Sequence, residues 1–349
     1  MIKVLIVDDS RVTQELLKYI LVSDPAIEVV GVASNGAEAL KAVQKHHPDL
    51  ITMDIHMPLV DGFEATRAIM ENVPTPIVIV SASTSVSESE FTFRAIEAGA
   101  LTAVLRPPGI GHPKHKVLAK ELIQKVKLMS EIKVVRRISR SIAKPPTSLP
   151  SSAEPDIRLI AIGASTGGPP ALNKILSGLP SDLPVPVLIV QHISAGFVDG
   201  FIDWLGGVSG FPVKKAEHEQ NILPGFAYVA PDNYQMGVGR GGRRIILNNA
   251  EPENGLRPAV SYLFRTVTQE LGAQAVGVLL TGMGVDGALE LKQLKKTGAV
   301  TIAQDKASSV VFGMPGEAIK LGGATCILPV EGIAHMLVRL ANNNGTKTK

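Results

Sequence analysis

Short apolar runs alternate along the chain with stretches in which apolar residues recur every three or four positions. In the first third the runs lie at 3–7, 28–32, 50–53, 77–80 and 102–105 and read as strands. Between them Val12, Leu16 and Ile20, then Ala37, Leu40 and Val43, recur at the three- or four-residue spacing of helices. Strand and helix in alternation predict a parallel sheet joined by right-handed helical crossovers. The runs end in polar residues: Asp8 and Asp9, Asp54, Ser81, and Arg106 followed by Pro107. In open parallel sheets, ligands bind at these carboxyl ends of the strands.

The rhythm fails from about residue 128 to 155. The segment RRISRSIAKPPTSLPSSAEP is basic, then rich in Pro and Ser, and it predicts an extended connector. The alternation resumes at 157–163, with further strands expected at 185–190, 227–230, 275–280 and 300–303 and a hairpin around 239–243. The expected division is a first domain over 1–125, a linker over 126–155, and a second domain over 156–349 whose end NNNGTKTK frays. The expected fold class is α/β throughout. A five-stranded, flavodoxin-like parallel sheet precedes a doubly wound, mostly parallel one.

Composition narrows the classes. A chain of 349 residues suits two domains, and 45% apolar with 19% charged residues is globular rather than disordered. The net charge of +3 is unevenly spread. Lys and Arg against Asp and Glu number 12 to 15 over 1–125, 6 to 2 over 126–155, and 17 to 15 over 156–349. The pI near 8.8 therefore leans on the connector. With aromatics at 4%, little is left for stacking on bases, so no nucleic-acid partner is expected. A lone Cys326 excludes a disulfide framework within the chain and fits a reducing compartment. The apolar run at 4–7 meets two acids at once and is no signal peptide. No apolar run approaches the ~18 residues of a membrane span. A soluble cytoplasmic protein without membrane insertion is expected.

Asp8, Asp9 and Asp54, from two strand ends, would converge at one edge of the first sheet. Asp8 and Asp9 alone read equally as a helix N-terminal pair. Three converging carboxylates repel one another unless a proton or a divalent cation intervenes, and Mg²⁺ suits such a set. An aspartate so placed is also a candidate phosphate acceptor. The set VLIVDDS, MDIHMPLVDG, VSAS and RPP on five alternating strands resembles a response-regulator receiver domain over about 1–125. The resemblance implies Asp54 as phospho-acceptor, with Asp9, Asp54 and the His56 backbone carbonyl as Mg²⁺ ligands. It also implies Asp8, Ser81 and Arg106 around the phosphoryl group. Receivers place Lys where Arg106 stands, and the planar guanidinium is not an equivalent point charge.

In the second half, GASTGGPPAL after a strand has two chemical readings. Its glycines could cradle a phosphate before a helix. Alternatively, Ser165 sits exposed on a tight turn beside N–H groups able to bind an oxyanion. The next strand ends in Gln191-His192, a base where a dinucleotide site would want a ribose-binding acid, which favours the nucleophile. His192 alone reads as a polar strand end bonded to a carbonyl, and Asp286 alone as a helix-capping acid. Ser165, His192 and Asp286 together supply nucleophile, base and orienting carboxylate at three strand ends.

The segments IGASTGGP, IVQHISAGF, YVAPDNYQM, LRPAVSYLF, LLTGMGVDGA and SSVVFGMPGEAI resemble the catalytic domain of the chemotaxis protein-glutamate methylesterase (CheB) family over 156–340. The resemblance implies a Ser165–His192–Asp286 triad, oxyanion donors at the Thr166 and Met283 N–H groups, and no cofactor for the esterase chemistry. It further implies demethylation and glutamine deamidation on chemoreceptor cytoplasmic helices, a histidine kinase as phosphodonor, and a receiver that covers the active site until phosphorylated. This chain departs from the family pattern at Ile193-Ser194 (usually Met-Pro), Gln235 (usually His) and Ser261 (usually Asp). A receiver joined to a DNA-binding module is the rival reading. A second half of this size with glycine-rich strand ends fits it poorly.

Overall fold

The structure is a computed structural model that describes residues 1–134 and 156–342. The expected linker beyond residue 134 and the tail from 343 lie outside the described residues. The chain divides into two compact units, 1–140 and 141–349.

The first unit alternates strand and helix without exception: β1 Ile2–Val7, α1 Arg11–Val22, β2 Ile27–Ala33, α2 Gly36–His46, β3 Leu50–Met53, α3 Gly62–Asn72, β4 Ile77–Ser81, α4 Val86–Ala98, β5 Thr102–Leu105 and α5 His115–Ser130. All five strands are parallel, in the order β2-β1-β3-β4-β5. Helices cover both faces, so β3 and β4 are buried at every position, which is why they read as unbroken apolar runs. Helix starts are written locally. Ser10, Asn35, Asp61 and Ser85 each accept the N–H three residues on, and Glu38 returns to the Asn35 carboxamide. Helix α5 runs past residue 125 to Ser130, because Val126 and Met129 are buried on its inner face.

The second unit comprises β6 Leu159–Ala164, α6 Gly168–Ser177, β7 Val187–Gln191, α7 Val198–Ser209, β8 Val213–Lys215, β9 Ala227–Val229, β10 Gln235–Gly239, β11 Arg244–Asn248, α8 Val260–Glu270, β12 Ala275–Leu279, α9 Ala288–Lys296, β13 Val300–Gln304, α10 Met314–Lys320, β14 Cys326–Leu328 and α11 Val330–Asn342. Seven strands form one parallel sheet in the order β14-β13-β12-β6-β7-β9-β8. Hairpin β10–β11 is a separate antiparallel pair that turns through Arg240, Gly241 and Gly242, all at positive φ. Strands β8 and β14 were not expected. Each has three residues and lies at a sheet edge, too short to show a period.

One core layer packs the sheet against α8, α9 and the hairpin, through residues such as Leu188, Tyr228, Met236, Leu263, Phe264 and Leu291. Val260, at the start of α8, is central to it. A Cβ at Gly163, near the end of β6, or at Gly287, the N-cap of α9, would lie 2.3 or 2.4 Å from its Cγ1, so both glycines leave room for this one side chain. In each unit the strand order reverses once, between β1 and β3 and between β6 and β12. Crevices at such reversals are where open α/β sheets bind their ligands.

Candidate functional site

At the first reversal, side-chain oxygens of Asp8, Asp9 and Asp54 lie within 4.8 Å of one another. Ser10, not either acid, caps α1, and the Asp8 Oδ1 accepts the Ser10 N–H at 2.9 Å. Asp8 Oδ2 is buried without a hydrogen-bond partner. Burial first, then the charge of Asp8, pushes the Asp54 carboxyl up to about 6, and burial raises Asp8 as well. Crowded carboxylates with one orphaned oxygen fit a hard divalent cation. The Asp54 loop is pressed onto α3 so closely that a Cβ at Gly62 would lie 2.1 Å from the Asp54 carbonyl oxygen.

Of the three other expected pocket residues, Arg106 acts on these acids by its charge, while Ser81 and His56 bond to other groups. Arg106 ties β5 to β4 through its N–H to the Ser81 carbonyl (2.8 Å), and its guanidinium donates to Thr13 Oγ1 on α1 at 3.3 Å. From there its charge opposes the upward shift of both Asp8 and Asp54. The buried Ser81 hydroxyl donates to the Ser83 carbonyl at 2.7 Å, with Glu88 Oε1 at 3.3 Å. The other Glu88 oxygen meets the exposed His56 ring at 2.8 Å.

At the second reversal, β6 ends at Ala164 and the chain turns through Ser165 and Thr166 into α6. The turn needs both glycines. Gly167 has φ 79°, and a Cβ at Gly168 would lie 2.0 Å from Gln191 Oε1. It is pinned by Ser165 N–H to the Thr281 carbonyl (3.0 Å), Gly168 N–H to the Ser165 carbonyl (2.8 Å) and the Thr281 hydroxyl to the Thr166 carbonyl (2.9 Å). Ser165 is half-buried, and its hydroxyl has no hydrogen-bond partner among the described residues. The phosphate-cradle alternative fares badly here. Gly168 has spent its N–H, and Pro169 and Pro170 follow with none, so the start of α6 lacks the donors an anion needs.

His192 follows β7, anchored by its N–H to the Ala164 carbonyl at 2.9 Å. Its Nε2 stands 3.0 Å from Asp286 Oδ2, within ion-pair reach but off the line a hydrogen bond prefers. Asp286 is 3% exposed and accepts the first two N–H groups of α8, Val260 to Oδ2 at 2.7 Å and Ser261 to Oδ1 at 3.1 Å. Residue 259 is an alanine, so α8 has no side-chain cap of its own, and Asp286 supplies one. Burial alone would raise the Asp286 pKa. The His192 ring, Ser261 and the Val260 N–H outweigh it and hold the carboxyl below its ordinary range. A depressed folded pKa stabilises the fold fully above the ordinary value of 3.8 and ceases to do so as pH falls through the folded value. Unfolding midpoints measured from pH 6 downward are expected to fall below about pH 4, and Asp286→Asn to flatten that limb.

The N–H groups of Thr166 and Met283, on the two loops flanking Ser165, have no acceptor among the described residues. Gly282 lies directly against Ser165, where a Cβ would be 2.7 Å from the serine Cβ. Two departures from the family pattern turn out to be supports behind Asp286. The Ser261 hydroxyl donates to Glu290 Oε2 at 2.8 Å and accepts the Gly287 N–H at 2.9 Å. Fully buried Gln235 accepts the Ala259 N–H at 2.8 Å and donates to the Glu251 and Leu256 carbonyls, fixing the approach to α8. Ser194 is buried beside a loop held by the Gly196 N–H to Asp232 Oδ2 at 2.7 Å. Sequence reasoning missed Thr281 and Gln304, whose Oε1 accepts the Thr281 N–H at 2.7 Å. It also gave Gln191 no role of its own. Polar residues closing buried strands were the available signal.

Comparison with known proteins gives two family matches. The family model described as CheB methylesterase matches residues 160–337, and that of the response regulator receiver domain matches 4–113. A protein-glutamate methylesterase/protein-glutamine glutaminase of Syntrophus aciditrophicus is 57% identical over 98% of this chain and 99% of its own. One from Nitrosospira multiformis is 54% identical over 99% of this chain and 98% of its own. The solved CheB methylesterase catalytic domain of Thermotoga maritima matches with TM-score 0.51 and 35% identity, over 53% of this chain and 98% of that one. A cluster of three acids in the first unit, and a Ser, a His and an Asp in the loops that follow three strands of the second, thus occur in a chain that belongs to the CheB methylesterase family.

Proposed function

We propose that this chain is a phosphorylation-controlled serine hydrolase that removes methyl groups from γ-glutamyl esters, and deamidates glutamines, on the cytoplasmic helices of chemotaxis receptors. The observation that carries the reading is the His192 Nε2–Asp286 Oδ2 pair at 3.0 Å, with the carboxylate seated on α8 and Ser165 on the turn after the neighbouring strand β6. With Nε2 turned toward Asp286, Nδ1 is the ring nitrogen left to accept the Ser165 proton. The serine oxygen attacks the ester carbonyl carbon, and the Thr166 and Met283 N–H groups hold the resulting oxyanion, each worth about 2.7–4 kcal/mol in the transition state. Collapse expels the methoxy group, which takes the proton from His192 and leaves as methanol. Water, deprotonated by the same ring, then releases the γ-carboxylate and restores Ser165. A glutamine follows the same course and releases ammonia.

The first domain (1–125), joined by the linker 126–155 to the esterase domain (156–349), holds that activity in check until Asp54 is phosphorylated by a histidine kinase. Asp9, Asp54 and the His56 carbonyl would hold Mg²⁺, which when bound neutralises the phosphoryl oxygens. Asp8, Ser81 and Arg106 surround that group. Such receptors present cytoplasmic helices, so the enzyme works in the cytoplasm. Among the described residues no helix is long and apolar enough to cross a membrane.

Methanol release from a methylated receptor fragment, with and without a small-molecule phosphodonor and Mg²⁺, tests both halves. Release that rises with the phosphodonor, and fails to rise in Asp54→Ala, is expected. Release indifferent to the phosphodonor would retain the esterase and discard the switch. No release from folded protein would discard the esterase.

A further inference from the structure

We infer that Gln191 is a positioning residue that sets the distance between nucleophile and base, resting on the reading of Ser165 and His192 given above. Strands β6 and β7 are paired through Ala164 and Gln191, and the His192 N–H to the Ala164 carbonyl is their last backbone link. Beyond it the two chains part, one into the Ser165 turn and the other into the loop after His192, and no ladder bond can span them. The Gln191 carboxamide spans them instead. Its Nε2 donates to the Ser165 carbonyl at 2.9 Å and to the His192 carbonyl at 2.8 Å, one hydrogen to each. The side chain is 4% exposed, and its hydrogen bonds to Ser165 and His192 go to their main-chain carbonyls.

The room for this bridge is built in. A Cβ on residue 168 would lie 2.0 Å from Gln191 Oε1, so the glycine and the carboxamide form a matched pair. Oε1 itself is buried without a partner, an arrangement that makes sense only if the two N–H donors outweigh the unpaired oxygen. A carboxylate of the same shape would set an acceptor against two carbonyls. An apolar side chain would fill the space and leave the Ser165 and His192 carbonyls free to separate. Misplacement of a reacting group by about 1 Å lowers turnover on the order of 10²-fold.

The experiment compares full-length parent, Gln191→Glu, Gln191→Met and Ser165→Ala in methanol release from the methylated receptor fragment, after circular dichroism and thermal melting of each. Both Gln191 variants are expected to lose about 10²-fold in kcat with KM unchanged. Once protonated, the Gln191→Glu carboxyl regains one O–H donor, so its activity relative to parent is expected to climb as pH falls, while that of Gln191→Met stays flat. In the parent itself, the Gln191 side-chain NH₂ protons are expected to exchange slowly with solvent by NMR, a readout that needs no variant to fold. Parent-like kcat in folded variants, a KM change equal to the kcat change, no pH difference between the two variants, or rapid NH₂ exchange would each overturn the inference. An inactive Ser165→Ala beside a parent-like Gln191→Glu would remove this inference alone, whereas an active Ser165→Ala would remove the reading beneath it too.

Discussion

Changing Ser165 to alanine is expected to lower kcat for methanol release by on the order of 10⁶-fold, with the melting temperature unmoved. The size of the loss follows from the loss of the covalent route: without Oγ, His192 has nothing to deprotonate but water. The intact oxyanion donors and receptor contacts would leave a residual rate of about 10³–10⁴ over the uncatalysed reaction. The unmoved stability follows from the fold. The turn is held by main-chain bonds from residues 165, 166 and 168 and by the Thr281 hydroxyl, and the serine hydroxyl takes no part in them. Methanol release and a thermal melt on one preparation check both halves. A melt that shifts by several degrees would mean that the hydroxyl has structural work, and the kinetic loss would then need another explanation.

Asp286→Asn is expected to lower kcat on the order of 10⁴-fold and, unlike the serine change, to destabilise the protein. The kinetic part comes from charge. The imidazolium that forms on His192 sits in a nearly closed site, and a neutral amide cannot stabilise it as a carboxylate 3.0 Å away does. The structural part comes from α8. Both carboxylate oxygens accept N–H groups from its first turn, and an asparagine places its NH₂ against one of them whichever way it points. A buried donor left without an acceptor costs about 1–3 kcal/mol. Steady-state kinetics and urea unfolding of Asp286→Asn and Ser165→Ala side by side are expected to separate the two. Equal stability in both variants would contradict the assignment of Asp286 as the cap of α8.

Most of the architecture was legible because strands buried on both faces leave nothing to misread. Runs such as VLIV and LITM carry no alternation, and helical spacing fills the gaps between them. The misses obey the same logic. Three-residue edge strands at Val213–Lys215 and Cys326–Leu328 have too few positions to show any period. The site was legible in so far as its residues end strands, which is how Asp8, Asp54, Ser165 and His192 attract notice. What orients them was not legible, because it comes from far along the chain. The Val260 and Ser261 N–H groups that define Asp286 have no side-chain signature, and their spacing from it is 26 and 25 residues. The Arg106–Thr13 bond spans 93 residues, and neither partner announces the other. Gln235 and Ser261 stood out as departures from the family pattern, yet only their hydrogen bonds reveal that each is a satisfied support.

The double duty of Asp286 bears on how kindred sequences are to be judged. An aspartate that closes the open end of a helix is retained by selection for folding, whether or not the chain still turns over substrate. A descendant that had become a mere scaffold would keep it. The serine is different, since no bond of the fold depends on its hydroxyl, and drift would erase it soon after the chemistry ceased to matter. In this lineage the serine is therefore the better witness to a working enzyme, and the aspartate mainly to a well-made helix.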